Sequence, residues 1–100
     1  MSVVEITNYN QHESFINDNA NAVIFFGSER CHHCVAITPV VKQLAGKYPN
    51  VKFGHVEVTK AKVQNINKGV PVFVGYRNHQ PVDVVLGADE EGLVDLIESL

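Results

Sequence analysis

The chain has 100 residues, of which 45% are apolar and 19% charged, with a formal net charge of −3. That balance belongs to a soluble globular chain and excludes a disordered polymer or a collagen-like fibre. Two cysteines are too few for a disulfide-stapled miniprotein. A single domain over residues 1–100 is expected, burying roughly 65% of its unfolded surface. Seven of the eight Lys/Arg fall between Lys42 and Arg77, and six of the eleven acids fall between Asp83 and Glu98. These read as two solvated faces of opposite bias, and an acidic chain without a basic cluster is not expected to bind nucleic acid. Apolar runs such as Ala22 to Phe26 are too short to span a bilayer, so no membrane association is expected. The leading Met-Ser-Val-Val-Glu-Ile has neither a basic nor an apolar leader character, which makes a cytoplasmic location the expectation.

In chain order, Val3 to Ile6 is a short β-branched run, followed by turn-prone Asn8 and Asn10. A helical period then carries Phe15 and Ile16 and stops at Asp18-Asn19. Ala22 to Phe26 is continuously apolar, as in a strand covered on both faces, and ends at Gly27-Ser28. Val35, Ile37, Val40, Val41, Leu44 and Ala45 mark a longer helix that closes at Gly46 or Lys47, with Pro39 inside it. Val51 to Val58 is the next strand, and Lys60 to Ile66 allows one or two helical turns. Val70 to Tyr76 and Val82 to Leu86 flank Arg77-Asn78-His79-Gln80 as a hairpin, whose Asn78-His79 centre is an unusual pair for positive φ. Acids from Asp89 to Glu91 open a last helix with an apolar stripe of Leu93, Val94, Leu96, Ile97 and Leu100. The order βαβαβαββα predicts an α/β domain with a mixed central sheet flanked by helices.

The chemistry-bearing motif is Cys31-His32-His33-Cys34, placed where a buried strand hands over to a helix. A helix N-terminus offers unpaired N–H groups and a positive dipole end, both of which favour a thiolate over a thiol. Cys31 is therefore the expected nucleophile, and Cys34, one turn inward, can close a disulfide with it. Arg30 adds a cation beside Cys31. A metal site is the rival reading, since the motif carries four nominal ligands. Four successive residues cannot all reach one tetrahedral ion, so only a half-site shared by two copies survives from that reading, and no resident metal is expected. His12 and His79 are expected to be solvated, His55 to be packed or hydrogen bonded within its strand, and Glu57 to be a weakly buried acid.

Over nearly its whole length the sequence resembles the thioredoxin family. The resemblance is carried by Phe26 through Cys34, Pro39, Gly69-Val70-Pro71, Tyr76-Arg77-Asn78, Gly87-Ala88 and Gly92-Leu93. It implies the thioredoxin fold and a thiol–disulfide oxidoreductase that needs no bound cofactor. It also implies a cis Val70–Pro71 bond beside the cysteines, with Val70, Pro71 and Gly87 binding substrate. Partners would be proteins carrying disulfides or dithiols, with a thioredoxin reductase or another thiol donor, and the chain would act as a monomer. His33 occupies the position expected to tune the redox poise in this family.

The departures from the family bear on function. Arg30-Cys31-His32-His33-Cys34 replaces the usual Trp-Cys-Gly-Pro-Cys, and no tryptophan is present. The family's buried aspartate is here Phe25, so Cys34 needs another base or a water, and the lysine near that aspartate aligns with His55. Donors from Arg30, His32 and His33, together with the missing carboxylate, predict a couple more oxidising than ordinary thioredoxin. Two alternatives stand beside this reading. One is a glutaredoxin-like enzyme using glutathione, although its Gly-Gly-x-Asp type of contact is absent after Pro71. The other is a non-enzymatic binding module or metal half-site.

Overall fold

The computed structural model describes residues 3–61, 63 and 69–100. Five strands are present: β1 (Val4–Ile6), β2 (Asn21–Gly27), β3 (Lys52–Glu57), β4 (Val72–Arg77) and β5 (Gln80–Leu86). Three helices accompany them: α1 (Tyr9–Asp18), α2 (His32–Lys47) and α3 (Glu90–Glu98). Of the short helix expected over Lys60 to Ile66, residues 62 and 64–66 lie outside the described residues, and Lys60 is in a turn.

The strands form one sheet in the order β1-β3-β2-β4-β5. β3 pairs in parallel with both β1 and β2, whereas β4 runs antiparallel to β2 and β5. The sheet is therefore mixed, as its sequence order predicts. β2 lies at its centre, and the continuous apolar run is explained by side chains alternating into two separate cores. Val23 and Phe25 pack with Ile37 and Val41 of α2 and with Leu93 and Leu96 of α3. Ala22, Ile24 and Phe26 pack on the other face with Phe15 and Ile16 of α1.

Each described helix opens on an N-cap whose side chain accepts the N–H three residues ahead. The caps are Asn8 from Gln11 at 2.8 Å, Cys31 from Cys34 at 3.2 Å and Asp89 from Gly92 at 2.9 Å. Such caps satisfy one of the donors that a helix start leaves unpaired. α2 continues through Pro39, which has no N–H to give to the carbonyl one turn back.

One histidine departs from expectation, and a second is solvated as expected but also anchored. His12 is buried at 9% exposure, not solvated, because it shares the sheet-facing side of α1 with Phe15 and Ile16. Its ring meets Tyr76 edge-on at 6.2 Å, and its Nδ1 lies 3.0 Å from a Glu13 carboxylate oxygen. His79 is exposed but anchored, with Nδ1 3.1 Å from the carbonyl of Ile16. That contact belongs to the hairpin expected at Arg77-Asn78-His79-Gln80, with Asn78-His79 at its centre. Arg77 pairs with Gln80, which leaves Asn78 (φ 51°) and His79 (φ 74°) alone in the turn. Two positive φ values suit the twist of a two-residue hairpin. The Asn78 N–H also reaches the Ala20 carbonyl at 2.8 Å, which ties the turn to the chain just beyond α1.

Candidate active site

β2 delivers the chain to the site through a short loop closed on Ser28. The Ser28 carbonyl accepts the Cys31 N–H at 3.0 Å, and its hydroxyl accepts the Arg30 N–H at 3.1 Å. This loop sets Cys31 at the N-cap of α2, half-buried, with Sγ receiving the Cys34 N–H. Sγ also lies 3.8 Å from the Val70 carbonyl, the reach of a thiol donor to oxygen. The positive end of α2 is thus directed at the sulfur.

Cys34 sits one turn further on, and its side chain enters the core at 2% exposure. Both cysteines are free thiols. Burial is the main influence that pushes the Cys34 pKa up from 9.0 to about 12. The hydrogen bond with Cys31 adds to this, as do the charges of Cys31 and Glu57, while the Ser28 backbone opposes it.

The Val70–Pro71 peptide bond is cis, and Pro71 is buried. The Pro71 carbonyl accepts the Gly87 N–H at 2.8 Å, and Gly87 has φ +80°, a conformation open chiefly to glycine. Val70, Pro71 and Gly87 are therefore brought together with Cys31. Arg30, His32 and His33 are not: all three side chains are exposed, and among the described residues none is hydrogen bonded to Cys31. The two imidazoles face each other edge-on at 5.9 Å instead.

Behind Cys34 lies a cavity of about 540 Å³ whose lining includes Phe25, Ser28, Cys34, His55, Glu57 and Lys60. Phe25 stacks on Phe73 at 4.9 Å and lies 5.1 Å from the His55 ring, centroid to centroid. His55, 22% exposed, places Nδ1 2.9 Å from a Glu5 oxygen, so it is half-buried and hydrogen bonded, as its place in the strand suggests. Burial raises the Glu57 pKa, but hydrogen bonds from Thr59 and Glu29 and the nearby His55 outweigh it and hold the carboxyl below its usual range. Glu5 was not singled out by its sequence context. It is the one charged residue of a short β-branched strand, and only the pairing of Glu5 with His55 across β1 and β3 reveals its partner. Among the described residues no group of three or more His, Cys, Asp or Glu is placed to hold a metal ion. No helix among them is long and apolar enough to cross a membrane.

The thioredoxin family model matches residues 2–99. Thioredoxin 1 of Plasmodium falciparum is 30% identical over 97 residues, covering 93% of this chain and 92% of that protein. Thioredoxin-like protein 1 of Schizosaccharomyces pombe is 30% identical over 102 residues, covering 97% of this chain but only 35% of the longer relative. Among solved structures, the thioredoxin of Malassezia sympodialis superposes with a TM-score of 0.88 at 28% identity, covering 99% of this chain and 93% of that one. The oxidised thioredoxin of Plasmodium falciparum gives 0.87 at 30% identity, with 98% and 97% covered.

Proposed function

This chain belongs to the thioredoxin family and is a thiol–disulfide oxidoreductase with Cys31 and Cys34 as its redox-active pair; on that premise we propose that Cys31 attacks protein disulfides and Cys34 resolves the mixed disulfide. The observation that carries this division of labour is the contrast between the two sulfurs. Cys31 is half-exposed and faces the donors of a helix N-terminus, whereas Cys34 is 2% exposed and held protonated by burial. A substrate sulfur can reach Cys31 directly, and Cys34 attacks only after that bond has formed. The Val70 carbonyl lies beside Cys31, so an extended substrate that reaches Cys31 also meets the Val70 backbone. Pro71 and Gly87 hold that edge in place through their mutual hydrogen bond. Cys34 then closes the disulfide with Cys31, and a thiol donor such as a reductase restores the dithiol.

The couple is also more oxidising than that of ordinary thioredoxin, for which about −270 mV is typical. Two features support this. The Cys34 N–H stabilises charge on Cys31 in the reduced state, and Phe25 stands where a buried carboxylate would oppose such charge. Both favour the product of reduction and so raise the potential. Trapping tests the roles: Cys34→Ser should accumulate mixed disulfides with disulfide-bonded insulin or a similar protein disulfide substrate, and Cys31→Ser should accumulate almost none. The reverse pattern overturns the assignment. Redox titration of the wild type should place the couple above the thioredoxin value, and a potential at or below it overturns the oxidising character.

A further inference from the structure

Phe25 offers no proton acceptor to Cys34, yet the resolving step must remove a proton from that thiol. Once Cys31 is tied up in a mixed disulfide its own charge is gone, but burial, the main cause of the raised Cys34 pKa, remains. We propose that His55, held by Glu5 and open to the cavity behind Phe25, accepts the Cys34 proton during resolution. The inference rests on the roles proposed above for Cys31 and Cys34.

Three observations converge on the imidazole. His55 and Cys34 line the same cavity, whose volume of about 540 Å³ accommodates bridging water. His55 Nδ1 lies within 3.0 Å of both oxygens of Glu5, and a carboxylate only accepts, so Nδ1 carries the hydrogen. The neutral ring therefore presents its lone pair at Nε2. Among the described residues Nε2 has no hydrogen-bond partner, and every buried side-chain nitrogen or oxygen has one, so Nε2 is open to water. A base that shares a water-accessible cavity with its proton source can receive the proton through water. The carboxylate of Glu5 then offsets the positive charge that the ring acquires.

Glu57 lines the same cavity but is a poorer acceptor. Its Oε1 accepts the Glu29 N–H at 2.9 Å and its Oε2 accepts the Thr59 hydroxyl at 2.5 Å. Both bonds stabilise the ionised form, which makes it a weak base. The other charged groups around His55 are Lys42 on α2, which lines an adjoining cavity with it, and Glu29 and Lys60, which pair with each other at 3.3 Å. None of these is a neutral base.

The step balances as follows. The Cys34 S–H proton passes through water to Nε2, and the Cys34 sulfur forms a bond to Cys31 Sγ. The bond from Cys31 to the substrate sulfur breaks, and its electron pair leaves on the substrate, which takes up a proton from solvent. The imidazolium returns its proton to water. The cysteine pair loses two electrons and the substrate disulfide gains them.

The test uses the reduced protein and 5,5′-dithiobis(2-nitrobenzoate) under stopped flow. Attack by Cys31 releases the first coloured thiolate, and resolution by Cys34 releases the second. His55→Gln should leave the first phase at the wild-type rate and slow the second by about 10²-fold at neutral pH. The wild-type second phase should slow on acidification, and the variant should lose that dependence. Glu5→Gln, at a side chain 65% exposed, tests the same idea with little risk to folding. An amide can donate to Nδ1 and move the hydrogen to Nε2, so the second phase should again slow. A wild-type second phase in both variants, or a loss that appears in Glu57→Gln instead, overturns the proposal. A wild-type protein with no fast first phase would break the role of Cys31, which is a separate failure.

Discussion

The starts of α2 and α3 are built alike and do different work. At α3 the Asp89 carboxylate takes the Gly92 N–H at 2.9 Å, and at α2 the Cys31 sulfur takes the Cys34 N–H at 3.2 Å. Both ends present the same unpaired donors and the same positive dipole. Around Asp89 the sequence is committed to the cap. Glu90 and Glu91 fill the first turn with further negative charge, and Gly92 has no Cβ because one would collide with the Asp89 carboxylate. The cap there is a group with no bond to exchange. Around Cys31 no acid occupies the first turn, the cap atom is a sulfur that can exchange bonds, and the residue donating to it is itself a buried thiol. A helix end becomes a reactive site through the atom placed on it and the group placed beneath it, not through the dipole alone.

The largest test of that contrast replaces the sulfur and keeps the cap. Cys31→Ser should bring insulin-disulfide reduction down to the uncatalysed rate, because the remaining thiol, Cys34, is buried out of a substrate's reach. Serine ranks among the preferred caps, so the reduced protein should lose no stability in a denaturant titration and gain up to about 1 kcal/mol. A clear destabilisation would mean that the Cys31 sulfur holds the helix end in a way oxygen cannot, and the comparison with Asp89 would fail.

The converse substitution removes a cap and spares the chemistry. Asp89→Ala should cost about 1 kcal/mol of stability, within the usual range for such a loss. Its rate of insulin reduction, measured well below its melting temperature, should match the wild type. A fall in rate that exceeds the fall in folded fraction would show that the α3 end communicates with the site through nearby Gly87, which bonds to Pro71.

The elements differ in how openly the sequence declares them. The apolar run at β2, the hairpin turn at Asn78-His79 and the Cys-x-x-Cys at a strand-to-helix junction depend on neighbours in sequence, and each appears where it was expected. Contacts between distant residues were hidden. Asn78-His79 is legible as the centre of the turn, but the hydrogen bond that His79 gives to the Ile16 carbonyl, 63 residues away, is not. His12 reads as solvated until the sheet fixes which side of α1 faces inward. Glu5 and His55 are 50 residues apart, and only strand register makes them partners. The imidazoles at 32 and 33 were placed beside Cys31 by number alone. Adjacency in sequence does not direct side chains in the first helical turn toward the cap, and both point to solvent.

That last finding sets the size of the smallest effect. A direct charge-assisted hydrogen bond from an imidazole to the Cys31 thiolate would contribute about 1.5–3 kcal/mol, or about 30–65 mV in a two-electron couple. His33 makes no such bond, so it acts through solvent, where an exposed pair is worth about 0.2–1 kcal/mol. Removing it takes a positive or donating group away from the reduced form, which favours the disulfide and lowers the potential. His33→Pro should therefore shift the couple down by about 5–20 mV in a redox titration against dithiothreitol. The shift should shrink as salt is raised, since interactions across solvent are screened and a direct bond is much less so. A fall of 60 mV or more that persists at about 1 M salt would place the imidazole on the sulfur during turnover. The reactive end of α2 would then owe its chemistry to His33 as well as to its cap.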